Sequence, residues 1–177
     1  GPSATNPPVA QSMKHPTKQV ILVRHAHAHG LEPGLEDFER RLDRRGRHEA
    51  EAMARRAHEL GLAPDHLIAS PADRAIATAR EFAKALAFPL PRIRHDDRVY
   101  LAEPDRLVAI LRNAPPDAVH VLLVGHNPGL SELAAWLTGE DVGHLPTAAL
   151  YVATAALERW TDLQRGGFER LHLEHPR

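Results

Sequence analysis

Apolar positions along the chain fall into two alternating kinds of run. Short unbroken apolar runs read as strands buried on both faces, as in a parallel sheet packed under helices. The first is Val20-Ile21-Leu22-Val23, within a strand over Gln19–Val23 that stops abruptly at Arg24 and His25. Further strands are predicted over Asp65–Ala69, Val119–Val124, Ala148–Thr154 and Phe168–Leu173. Between them, apolar residues recur with helical spacing. Ala50, Met53, Ala54, Ala57 and Leu60 form the stripe of a helix from about Asp43 to Leu60, stopped by Gly61. Ile76, Ala79, Phe82, Ala83 and Leu86 mark a second helix, and Leu107, Val108 and Leu111 a third that opens at Pro104. Leu130, Leu133, Ala134 and Leu137 mark a fourth, closed by Gly139. Thr161–Arg165 reads as one helical turn.

Two helix starts carry a specific signature. Ser70-Pro71-Ala72-Asp73 reads as a serine cap, a proline in the first helical position and a capping-box acid. Asn127-Pro128 repeats the pairing of cap and proline. The stretches 30–41 and 89–98 read as loops. Residues 1–18, with Gly1, Pro2, Pro7, Pro8 and Pro16 and few apolar positions, read as a disordered leader in which Gly1-Pro2 is a cloning remnant. Residues 19–175 then form one domain. Strands alternating with helices at this spacing predict an α/β fold with a mainly parallel sheet.

Composition narrows the function classes. With 22 basic and 23 acidic side chains in 177 residues, nothing pulls the whole molecule toward nucleic acid or an anionic membrane. No run approaches the roughly 20 apolar residues of a membrane span, and no secretory signal is visible at the start. The chain holds no cysteine, which removes disulfides and thiol catalysis and makes the cytoplasm the default compartment.

The chemistry gathers at three strand-to-turn junctions: Arg24-His25, Ser70-Pro71-Ala72-Asp73-Arg74 and Gly125-His126-Asn127-Pro128. In a parallel sheet these junctions share one edge, where open α/β sheets bind their ligands. Two arginines, two histidines and two helix starts at one edge describe an anion site, because guanidinium forks match phosphate oxygens and helix starts offer free N–H groups.

In these motifs the chain resembles the histidine phosphatase superfamily, with its phosphoglycerate mutase-like fold, and within it the small SixA-type phosphohistidine phosphatases. Arg24-His25 stands at the arginine-histidine-glycine signature, with Ala26 replacing the glycine. Ser70 through Ala75 with Thr78-Ala79 matches the second motif, and Gly125-His126-Asn127-Pro128-Gly129 the third. The similarity extends over Arg40–Gly46, Leu145–Ala148 and the tail from Trp160 to His172. The resemblance implies a three-layer α/β/α sandwich and a metal-independent phosphatase without cofactors. His25 would be the nucleophile, and Arg24, Arg74 and His126 would hold the phosphoryl oxygens, with Asn127 and Arg40 as further substrate-binding positions. Glu103 is the candidate leaving-group acid by its place in the chain, or merely the cap of the Pro104 helix. The implied substrate is the phosphohistidine of a signalling protein, such as a histidine-phosphotransfer domain.

Other readings of the same residues compete. Ser70 and Asn127 are helix caps before they are catalysts. The alternation His25, His27, His29 has metal-ligand spacing and would suit a metal-dependent hydrolase, although no acidic residue is interleaved to complete a set. Without a metal, His27 and His29 become loop residues at the mouth of the site. The remaining alternatives are a phosphomonoesterase acting on small or aryl phosphates, and a binding module that holds phosphate without catalysis.

Overall fold

The computed structural model describes residues 16–177, so the leader expected over 1–18 lies outside the described residues except for its last three. The first strand, β1 (Thr17–Arg24), begins two residues earlier than the predicted start at Gln19 because Thr17 and Lys18 still pair with a neighbouring strand. The chain continues through α1 (Arg44–Glu59), β2 (His66–Ala69), α2 (Asp73–Ala85), β3 (Arg94–His95) and α3 (Pro104–Arg112). It ends with β4 (His120–Gly125), α4 (Gly129–Thr138), β5 (Leu150–Ala156) and β6 (Glu169–Glu174).

The six strands form one sheet in the order β3-β2-β4-β1-β5-β6. The contacts from β3 to β1 are all parallel, while β5 runs antiparallel to both β1 and β6. Side-chain alternation splits the core in two. Ile21, Val23, Leu122 and Val124 face α1 and α2, whereas Val20, Leu22, Val121 and Leu123 face α3 and α4. Helices cover both faces, which is why Val20 through Val23 are all fully buried and the run is apolar without a break. The result is a three-layer α/β/α sandwich.

β1, β4 and β2 are adjacent, and their carboxyl ends lie level: Arg24 pairs with Gly125, and Ala69 with Val124. That register delivers the three polar junctions to one place.

Three local expectations change. β3 falls inside the predicted loop over 89–98. It is a two-residue edge strand, exposed at both positions, so it leaves no apolar signal. The serine-proline pair at 70–71 precedes its helix instead of starting it: α2 opens at Asp73, and Ser70 Oγ accepts the N–H of Ala72, which lies ahead of the helix. The inward face of α2 is also rotated, with Arg74 and Thr78 buried and Ile76 half-exposed.

Candidate active site

His25 leaves the end of β1 with its backbone still tied to the sheet, its N–H donating to Gly125 O at 3.0 Å and its carbonyl accepting from Ala148 N–H at 3.1 Å. The next peptide is clamped by α2. Ala26 N–H donates to Thr78 Oγ1 at 3.0 Å, and that hydroxyl donates in turn to Arg74 O at 2.8 Å. Ala26, standing where the family signature has glycine, places its methyl fully buried in the core beneath α1 and α2. The substitution is absorbed by packing.

The His25 ring is 7% exposed, and its Nδ1–H donates to Ala26 O at 2.8 Å. That bond fixes the tautomer and leaves the lone pair on Nε2. Burial, reinforced by the neighbouring Arg74, Arg24 and Arg40, pushes the imidazole down to about 4 against the pull of the Ala26 carbonyl. At neutral pH His25 is therefore an uncharged ring with a free nucleophilic nitrogen.

His126 follows β4 and is equally enclosed, its ring centroid 5.2 Å from that of His25. Burial, then the adjacent His25 and Arg74, bring it down to about 3. Its Nδ1 faces Arg74 Nη2 at 3.5 Å, and a guanidinium can only donate, so the ring proton sits on Nε2 and is given to Ser70 Oγ at 2.7 Å. Ser70 is thus the residue that orients His126, a role hidden behind its cap-like sequence context.

Arg24 donates through Nη1 to Leu145 O at 2.8 Å, and Arg74 is held by both terminal nitrogens to one residue, Asp37. Asp37 O accepts Arg74 Nη1 at 2.7 Å and its Oδ2 accepts Nη2 at 3.0 Å. The same carboxylate accepts Arg40 Nε and the Tyr100 hydroxyl. Partial burial would raise the Asp37 carboxyl, but the bonds from Tyr100, Arg40 and Arg74 outweigh it and hold the group well below the usual carboxylate range. The Nε of Arg24 and of Arg74 are each buried without a protein acceptor, an expense of about 1–3 kcal/mol apiece of the kind folds tolerate at functional sites.

These groups line one cavity of about 370 Å³, bounded by Arg24, His25, His27, Arg40, Arg74 and His126, with Asn127, Thr147 and Leu101 at its edge. Asn127 is committed to structure: its Oδ1 accepts from Ser131 N–H and Oγ, capping α4, and its amide donates to Leu145 O. Pro128 takes the cap position of α4, one place before the first helical position expected for it. Glu103 lies outside the cavity. Gly129 packs so tightly on Ala102 O that a β-carbon there would approach to 2.0 Å, and the pinned chain carries the Glu103 side chain outward into solvent. It also makes no capping bond to α3.

His29 is exposed in a separate depression, and among the described residues no three His, Asp or Glu side chains gather as a ligand set. His27 does line the cavity, with Nδ1 donating to Asp43 Oδ2 at 2.5 Å. Asp37, Tyr100, Ser70 and the His27–Asp43 pair were not legible as site residues. The one signal for Asp37 is indirect: an arginine as buried as Arg74 must find a carboxylate somewhere.

Fold and site together describe an anion pocket built from guanidinium groups around an imidazole. The chain belongs to the histidine phosphatase superfamily (branch 1), whose sequence profile matches residues 20–99. A solved protein of Agrobacterium tumefaciens, assigned as the phosphohistidine phosphatase SixA, superposes with a TM-score of 0.78 at 28% identity, covering 91% of this chain and 99% of its own. A protein of Picosynechococcus sp. is 32% identical over 131 residues, 71% of this chain and 76% of that one. A chloroplastic protein of Arabidopsis thaliana is 28% identical over 134 residues, and the match spans 62% of its length.

Proposed function

We propose that the protein is a metal-independent phosphatase that passes the phosphoryl group through His25, and that its substrate is a phosphohistidine on a signalling or phosphotransfer protein in the cytoplasm. The observation that carries this reading is the state of His25: uncharged, locked by Ala26 O, with Nε2 free among three arginines. In the first step Nε2 forms a bond to phosphorus as the leaving group departs. In the second, water attacks phosphorus and the N–P bond breaks, releasing phosphate. Arg24, Arg74 and Arg40 neutralise the developing charge on the phosphoryl oxygens, the work done by magnesium in other phosphoryl-transfer sites. His126 joins them once it takes a second proton, which an incoming dianion favours by offsetting the surrounding positive charge.

The preference for a protein-borne substrate rests on the mouth of the cavity. Leu101 lines it and is 54% exposed, and the exposed Phe38 follows the cavity-lining Asp37, edge-on to Tyr100 at 5.3 Å. An apolar rim next to a shallow anion site suits a phosphorylated side chain on a folded partner. The A. tumefaciens likeness points the same way.

The test is hydrolysis of phosphohistidine and of an aryl phosphate. Turnover should survive EDTA, be inhibited by vanadate and fall at least a thousandfold in His25→Ala. Strong inhibition by chelator, or full activity in His25→Ala, would overturn the mechanism.

A further inference from the structure

We infer that His27, backed by Asp43, is the proton donor to the leaving group and the base for the attacking water. This rests on the phosphatase reading above and adds to it the acid that Glu103 does not supply. His27 lines the same cavity as His25, with its side chain 37% exposed. Its Nδ1–H is held by Asp43 Oδ2, so the nitrogen left for substrate is Nε2. Asp43 is fixed from the other side, where its Oδ1 accepts the N–H of Gly46 at 2.8 Å as the cap of α1. The bonds from Gly46 and His27 outweigh partial burial and keep its carboxyl below the usual range, hence ionised.

The backbone of His27 is just as constrained. Its N–H donates to Glu49 Oε1 at 3.0 Å and its carbonyl accepts from Asp43 N–H at 3.2 Å. Its carbonyl also packs against Gly46, where a β-carbon would approach to 1.8 Å. A carboxylate-oriented imidazole on a fixed backbone, beside a nucleophile, is the arrangement that general acid–base catalysis requires. The carboxylate that lines the cavity itself, Asp37, is occupied by Tyr100, Arg40 and Arg74 and has no proton to give.

The proton balance is complete. As His25 Nε2 bonds to phosphorus, the bond from phosphorus to the leaving oxygen or nitrogen breaks and its electron pair stays on the leaving atom. That atom takes the Nε2 proton of doubly protonated His27, which becomes neutral and keeps its proton on Nδ1. When water attacks the phosphohistidine, one water proton passes to His27 Nε2. The N–P bond pair returns to His25, and His27 is again doubly protonated.

The experiment compares kcat/KM for phenyl phosphate, a poor leaving group, with 2,4-dinitrophenyl phosphate, which leaves without a proton. His27→Ala should lose about 30-fold or more extra activity on the phenyl ester, within the range of general acid catalysis. Asp43→Asn should show the same bias, about tenfold, because it only positions His27. The ratio is taken within one preparation, so partial unfolding cancels. Equal losses on the two esters would overturn the role of His27 while leaving the phosphatase reading intact. A wild-type protein inert on both esters and on phosphohistidine would overturn that reading, and this one with it.

Discussion

His25 and His126 are each the kind of group that a soluble fold normally keeps at the surface. Holding both neutral in a buried pocket makes stability depend on pH in a defined direction. With folded values of about 4 and about 3, against about 6.5 in an unfolded chain, the unfolded state binds more protons anywhere below neutrality. Stability is therefore complete above about pH 6.5 and is lost as pH falls through the acid range. For His25 the loss by pH 4.5 is about 2–3 kcal/mol. Urea unfolding at pH 7 and 4.5 should show His25→Ala losing about that much less than wild type between the two values. Equal losses would mean the ring is not held neutral by the fold. The carboxylates whose values are depressed, Asp37 foremost, add their own loss only at lower pH. Arg24, His25 and His126 are readable as candidates because each stands at the end of an apolar run, where a polar group interrupts a pattern, and Arg74 because it lies in the first turn of the helix that follows such a run. Asp37 and Tyr100 stand in irregular segments, 63 residues apart, and nothing periodic marks them. Their importance comes from meeting Arg74 in space.

Among the elements, the contact between the β1 turn and the start of α1 sets the shape of the pocket. Gly46 is required there by close approach, since its surroundings leave no room for a methyl group against His27 O. Gly46→Ala should cost roughly 2–3 kcal/mol of stability, at the upper end for overpacking, because the clash is with backbone and α1 itself must shift. It should also lower activity, since Asp43 and Glu49 move with that helix. Gly30→Ala, in the loop after β1 with open space around it, should change unfolding free energy by less than about 0.5 kcal/mol. Indistinguishable values for the two would show that the approach is not tight. The strands and helices themselves were largely legible because burial on both faces of the sheet makes each central strand a continuous apolar run. β3 was not, being a short edge pair with exposed Arg94 and His95. Ser70 is ambiguous in sequence for a different reason. A hydroxyl between a strand and a helix serves equally well as a cap or as a partner for a ring in the next strand's turn, and only the level ends of β2 and β4 decide for His126.

For the whole molecule, the near balance of 22 basic and 23 acidic side chains hides a local concentration of positive charge at one sheet edge. Net charge therefore says little about the ligand, and convergence says a great deal. No helix among the described residues is long and apolar enough to cross a membrane. The topology supplies the convergence: β4 enters between β2 and β1, so three junctions far apart in sequence meet at neighbouring strand ends. Transfer of a phosphoryl group through His25 at this edge leaves a covalent intermediate that can be trapped. The enzyme is mixed with a 32P-labelled phosphohistidine protein or phenyl phosphate and quenched in alkali within milliseconds. The label should be protein-bound, stable to base, labile to acid and located on His25 by peptide mapping, and it should be absent from His25→Ala. Turnover with no label on the enzyme, or a label that persists in His25→Ala, would rule out transfer through His25.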